Sequence, residues 1–175
     1  MTAINILLEE HKLLLQAIKT TRTIQKIEND EVYYKQLGNI ILFLRNFTEI
    51  YHHPKEENIF YPMLRNRSEG MSTEFIRETC DYHEDFKPMV FDIESSYLDY
   101  DYCQLRKATD RYITALEEHI RRENEIILSV AHSLLDEEEL AMLSKAMQKH
   151  DDEFGYKEEL IKDLYKIHMQ LHAEY

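Results

Sequence analysis

The sequence predicts an all-α fold: an up-down-up-down four-helix bundle followed by a C-terminal helical extension. Three observations carry this. The 175-residue chain has only three glycines and three prolines, too few turn formers for a β protein of this size. Apolar residues recur at helical spacing through most of the chain. Polar, turn-forming stretches interrupt that spacing at only a few places, and the length suits one domain with a real core.

The elements follow in order. A first helix is expected over residues 2–27, with Ile4, Leu7, Leu8, Leu14, Leu15 and Ile18 on one face. "ENDE" at 28–31 breaks it, with Asp30 as the expected N-cap of the next helix. That second helix covers 32–64, and its stripe carries Leu37, Ile40, Ile41, Leu44 and Phe47. Pro54 inside it predicts a kink or a local bulge. "RNRSEGMS" at 65–72 is the next break. The third helix carries Ile76, Phe86, Val90 and Ile93 and stops at "SSYLDYD", 95–101. The fourth carries Leu105, Ala108, Tyr112, Leu116, Ile127 and Val130. "DEEE" at 136–139 reads as a capping box, opening a fifth helix that ends before Gly155. A last helix covers 157–172. Residues 1–131 are thus the bundle, and 132–175 an extension packed on the same domain, as a cover or as a surface for homo-oligomer formation.

The formal charge of −13 excludes an electrostatic nucleic-acid or anionic-membrane surface, because phosphate binding needs basic patches. The N-terminus has no basic leader, and no apolar run approaches the ~20 residues that span a bilayer. A cytoplasmic chain is expected. Cys80 and Cys103 are too few and too far apart for a disulfide framework or a zinc ribbon.

The informative residues are polar ones on apolar faces. On a wheel of ~100° per residue, His11 falls at the centre of the first helix's stripe and His83 at the centre of the third's. His119 and Glu123 both fall inside the fourth's. On the second helix His52 lies on the flank of the stripe and His53 nearly opposite, so His52 is the better inward candidate. A lone histidine on such a face is usually a core residue. A glutamate there is rarer, because a buried carboxylate must be protonated, paired or bound to a cation. Here every helix of the bundle turns a histidine inward, and two add a glutamate one turn on. In antiparallel hairpins, residues at one height have the turn midway between them in sequence. The midpoints of His11/His52, His52/His83 and His83/His119 fall in "NDE" at 29–31, "RNRSEG" at 65–70 and "LDYD" at 98–101. All three are breaks, so the imidazoles are expected in one layer, with Glu56 and Glu123 projecting into it.

The chain also repeats itself: His11 and then HxxxE at 52–56 are answered by His83 and then HxxxE at 119–123. With "EEHKLL", "HHPKEENIFYP", "DYHEDF" and "EEHIRRENEII", residues 1 to about 131 resemble the hemerythrin-like family, or HHE cation-binding domain, in its four-His, two-Glu form. Residues 132–175 are similar, more weakly, to the helical extension of some bacterial and archaeal members. The resemblance implies a four-helix bundle around a non-haem di-iron centre. His11 and His52 would hold one iron and His83 and His119 the other. Glu56 and Glu123 would bridge them beside an oxo or hydroxo oxygen. The family's HxxxEE pattern selects His52 and Glu56 over His53 and Glu57. Manganese or zinc could occupy the same cage. Oxygen-carrying members have a further histidine one turn after the third helix's ligand, where this chain has Lys87; one turn earlier stands Thr79. Each iron would then keep an open position for a diatomic or peroxide ligand. Stress defence against O2, peroxide or nitric oxide and iron-cluster repair are the implied roles. An iron or oxygen sensor and an iron store are alternatives, and an oxygen carrier fits less well.

The remaining candidates read as ordinary surface or packing. His168 and His172 stand one turn apart in what reads as a solvated tail. His150 could face the bundle, and His53, Glu57 and His132 read as surface residues. Tyr51, Tyr61 and Tyr82 read as packing, and Cys80 as core filling. A metal-bound imidazole normally donates its other N–H, and Glu10 adjoins His11 in sequence.

Overall fold

The computed structural model describes residues 2–67 and 70–174. Helix α1 (Ala3–Ile24) begins where the Thr2 hydroxyl accepts the Asn5 N–H. It ends earlier than expected, because the Lys26 and Ile27 N–H groups turn back onto Thr23 and Ile24 and tighten the last turn. The next N-cap is Asn29, not Asp30: the Asn29 side chain accepts the Val32 N–H. Asp30 sits in the first turn instead, where its charge faces the positive end of the helix dipole.

Helix α2 runs from 30 to 67, though not as a simple α-helix. The α-helical pieces Asp30–Phe43, His53–Lys55 and Tyr61–Arg67 alternate with π-helical segments Leu44–His52 and Glu56–Phe60. The His53 N–H reaches back five residues to the Thr48 carbonyl, and the Tyr61 N–H five residues to that of Glu56. Pro54 gives the reason. It has no N–H to donate, and its ring would collide with the carbonyl one α-turn back. Widened turns on both sides carry the helix past it. The expected bulge is there, and it spans most of two ligand-bearing turns.

Helix α3 (Met71–Leu98) follows the 65–72 break, of which residues 68 and 69 lie outside the described residues. Tyr100, left-handed at φ 56°, and the Asp101 N-cap then turn the chain into α4. Helix α4 covers 102–134, with a third π-helical segment at Glu123–Ile127. Helix α5 (Glu137–Phe154) opens with the expected capping box between Asp136 and Glu139 and closes at Gly155, whose φ of 76° suits glycine. Helix α6 (Lys157–Glu174) completes the chain. No helix among the described residues is long and apolar enough to cross a membrane.

Packing separates the interior into two apolar clusters. One holds Leu14, Leu37, Phe47, Tyr51, Phe86, Tyr112 and Leu116. The other holds Leu7, Phe60, Tyr61, Leu64, Ile76 and Ile127. His11 lies between Leu7 and Leu14, and His83 between Ile76 and Phe86, so a polar layer divides the two. The C-terminal helices share both clusters: Leu143 and Met147 join the second, and Leu160, Leu164, Ile167 and Leu171 the first. Helix α6 is therefore no solvated tail, because this i, i+4, i+7, i+11 stripe seats it along α1 and α2. The half-buried His168 ring meets Gln16 and Thr20 of α1, with Nδ1 3.0 Å from the Gln16 amide nitrogen. The His172 side chain lies outside the described residues.

Candidate metal centre

Helix α1 contributes His11, α2 His52 and Glu56, α3 His83, and α4 His119 and Glu123. All six are buried, and they meet in the layer between the apolar clusters. The imidazoles form two pairs. His11 and His52 bring their Nε2 atoms to 3.1 Å, and His83 and His119 theirs to 3.0 Å. Two nitrogens bound at ~2.1 Å to one ion, at right angles, would be ~3.0 Å apart.

The two carboxylates lie between the pairs. Glu56 Oε1 is 3.6 Å from His11 Nε2 and 3.5 Å from His52 Nε2, while its Oε2 is 3.6 Å from His83 Nε2. Glu123 Oε2 is 3.3 Å from both His11 Nε2 and His119 Nε2, and Oε1 is 3.9 Å from His83 Nε2. Two groups of potential donors result: His11, His52, Glu56 and Glu123, and Glu56, His83, His119 and Glu123. Each glutamate belongs to both.

The outer nitrogens fix how the rings point. His52 Nδ1–H donates to Glu10 Oε2 at 2.9 Å, His11 Nδ1–H to Asn124 Oδ1 at 2.7 Å, and His83 Nδ1–H to Glu57 Oε1 at 2.8 Å. With Nδ1–H bonded outward, it is Nε2 of each ring that faces the centre, and in the neutral ring its lone pair is the one metal ligation requires. Glu10 adjoins His11 in sequence, yet it orients His52 on the facing helix. Glu57 is a correction: it is half-buried and orients His83. The second glutamate of HxxxEE was the available signal. Asn124 carries no comparable signal beyond adjoining Glu123.

His53 is the larger correction. It is buried, not on the surface, and its ring stacks on His83 with centroids 3.9 Å apart and planes 9° from parallel. The wheel fails there because a π-turn takes in one residue more than an α-turn, so His52 and His53 both reach the interior. The same distortion turns Lys55 inward, fully buried. Its ammonium donates to Glu10 and Tyr51, and to Asp151 Oδ1 at 2.6 Å. Tyr51 Oη lies 2.6 Å from both Glu10 Oε1 and Asp151 Oδ1, and Lys157 Nζ donates to Asp151 Oδ2 at 2.9 Å. Asp151 and Lys157 belong to the extension, so a charged network joins it to the residue that orients His52. His150 adds a contact to the Tyr51 carbonyl at 3.0 Å. His132 is exposed, Cys80 half-buried, and Tyr82 exposed beside Arg122. Tyr61 does more than pack, since its hydroxyl donates to Glu123.

The electrostatics record carboxylates awaiting positive charge. Burial alone would lower the His11 pKa, but Glu123 and Glu56 overcome it and hold the imidazolium up to about 10. Burial, helped by His83 and His11 against Glu123, pushes His119 down to about 4. Burial would raise Glu123, yet His119, His11 and His83 keep it well below the usual carboxylate range. Glu56 Oε2 and Glu123 Oε2 nonetheless accept no hydrogen bond among the described residues. Buried, anionic oxygens with unused lone pairs, facing inward imidazole nitrogens, fit a metal-binding site. The imidazole and carboxylate donor set suits iron, manganese or zinc.

Residues 2–131 match the family model described as the hemerythrin HHE cation binding domain. No curated protein and no solved structure matches the chain.

Proposed function

Because the chain belongs to the hemerythrin HHE cation-binding family, we propose that it holds two iron ions and acts in the cytoplasm on dioxygen, peroxide or nitric oxide. Stress defence or iron-cluster repair would be the setting. The observation that carries the reading is Glu56, whose two oxygens face different histidine pairs. His11 and His52 would hold one metal, and His83 and His119 the other, with Glu56 and Glu123 shared. The metals would supply redox chemistry and an electrophilic site for a small ligand. The chain's own part is to point the imidazoles inward from Glu10, Asn124 and Glu57, and to keep bulk water out by packing apolar clusters on both sides. The Tyr61 hydroxyl, bonded to Glu123, holds a proton at the edge of the centre, and burial with the neighbouring Glu123 and Glu56 charges raises its pKa well above the ordinary value.

A second reading is a sensor or store, in which metal occupancy sets the position of the C-terminal helices. The network through Lys55, Asp151 and Lys157 favours it, because it couples His52 to those helices. Turnover assays on iron-loaded protein with peroxide and with nitric oxide separate the two. Catalytic consumption of either supports the first reading. Stoichiometric binding without turnover contradicts it and leaves the second.

A further inference from the structure

We propose that His53 is a fifth histidine of the centre and ligates the metal held by His83 and His119. The inference rests on the two-metal reading above and deepens it. His53 is buried, and neither of its ring nitrogens has a hydrogen-bond partner among the described residues. Leaving a buried polar group unsatisfied costs about 1–3 kcal/mol, so an imidazole kept here with both nitrogens unused points to a missing partner. One is at hand, because donor atoms of His53, His83 and His119 lie within 4.8 Å of one another.

Two further observations agree. The ring has the same kind of support as the other imidazoles. Glu49 Oε2 lies 3.5 Å from His53 Nδ1, just beyond hydrogen-bond reach. A rotation out of its stack on His83 would give His53 a carboxylate on Nδ1 and leave Nε2 to face the metal, as Glu10 does for His52 and Glu57 for His83. The neighbours of His83 on α3 also leave that coordination position free. Lys87 is exposed and pairs with Glu84 at 2.5 Å, and the Thr79 hydroxyl is spent on the Phe75 carbonyl at 2.8 Å. Two parallel stacked rings cannot both aim their nitrogens at one ion, so ligation requires His53 to leave its stack on His83. The consequence is an asymmetric centre, with the metal at His83 and His119 carrying one imidazole more than its neighbour.

The test uses cobalt(II) as the probe metal on the full chain. Each imidazole bound through Nε2 gives one strongly shifted, exchangeable Nδ1–H proton resonance in the cobalt protein. The proposal expects one each from His11, His52, His53, His83 and His119. His53→Phe, which retains a ring for stacking, should lose one of them. It should also weaken one of the two cobalt-binding steps at least tenfold and leave the other unchanged. A wild-type spectrum lacking the His53 resonance overturns the proposal, whether or not the variant folds. So does a variant whose titration superimposes on the wild type. A wild-type chain that takes up fewer than two cobalt ions overturns the two-metal reading itself, and this inference with it.

Discussion

Glu123→Leu in the protein stripped of metal tests how the buried charges compensate one another. From the sequence alone, Glu123 is a carboxylate on an apolar face, and its removal should cost the empty bundle little, or even stabilise it. The structure reverses that sign. Glu123 accepts the Tyr61 hydroxyl and lies 3.3 Å from an imidazole, His11, that stays protonated to about pH 10. Removing one partner of such a buried set costs about 3–5 kcal/mol. The Tyr61 hydroxyl left unsatisfied accounts for about 1–3 kcal/mol of it. His11 retains Glu56 at 3.6 Å and can shed its proton, so the lower end, about 3 kcal/mol, is expected. For a chain of this length that is a fall in Tm of about 6–12 °C at pH 7. Adding Tyr61→Phe should recover about 1–2 kcal/mol by removing the orphaned hydroxyl. A raised folded-state pKa contributes stability that is complete below the unfolded histidine value and lost as pH rises through the folded one. The gap between wild type and variant should therefore narrow as pH approaches about 10. Thermal melts of the metal-free proteins measure all three. A variant as stable as the wild type at pH 7 would refute the pairing.

Other consequences are equally direct. Glu10→Gln removes the charge behind His52 Nδ1 and should weaken one of the two metals about 10–100-fold, leaving the other unchanged, in a competition titration with a chelator. Ligation needs neutral His11, so metal binding near pH 7.5 should release at least about one proton, seen by calorimetry in buffers of different ionisation enthalpy. Apparent affinity should rise with pH towards about 10, and binding without proton release would contradict the His11 assignment. Lys55→Met leaves the Glu10 and Asp151 carboxylates without their buried cation and should destabilise the chain by about 3 kcal/mol; an unchanged Tm would show that the network does not tie the extension to the bundle.

The all-α class, the breaks between helices and the convergence of His11, His52, Glu56, His83, His119 and Glu123 were legible because each depends on a regular 3.6-residue period. Turn midpoints need only antiparallel neighbours, and the capping box at Asp136 is a local pattern. The largest part of what was not legible has one physical cause. Around Pro54 the period lengthens over Leu44–His52 and Glu56–Phe60, so a wheel of constant angle misjudges which residues beside it face inward. His53 and Lys55 were lost in that way. Pro54 announced a distortion without giving its extent or direction. Glu57 and Asn124 were missed for another reason. Their roles depend on which helix lies opposite, and no single helix encodes that. His168 was misread because α6 is anchored by residues of α1 and α2, far away in sequence.

Glu56 and Glu123 each belong to both donor groups, as a paired site requires. Elemental analysis of protein loaded with iron under anaerobic conditions, alongside quantitative amino-acid analysis, tests it most directly. Two iron ions per chain are expected, falling to one or fewer in Glu56→Ala, because that side chain faces both histidine pairs. One metal or none in the wild type after exhaustive loading, or two retained in the variant, would contradict it.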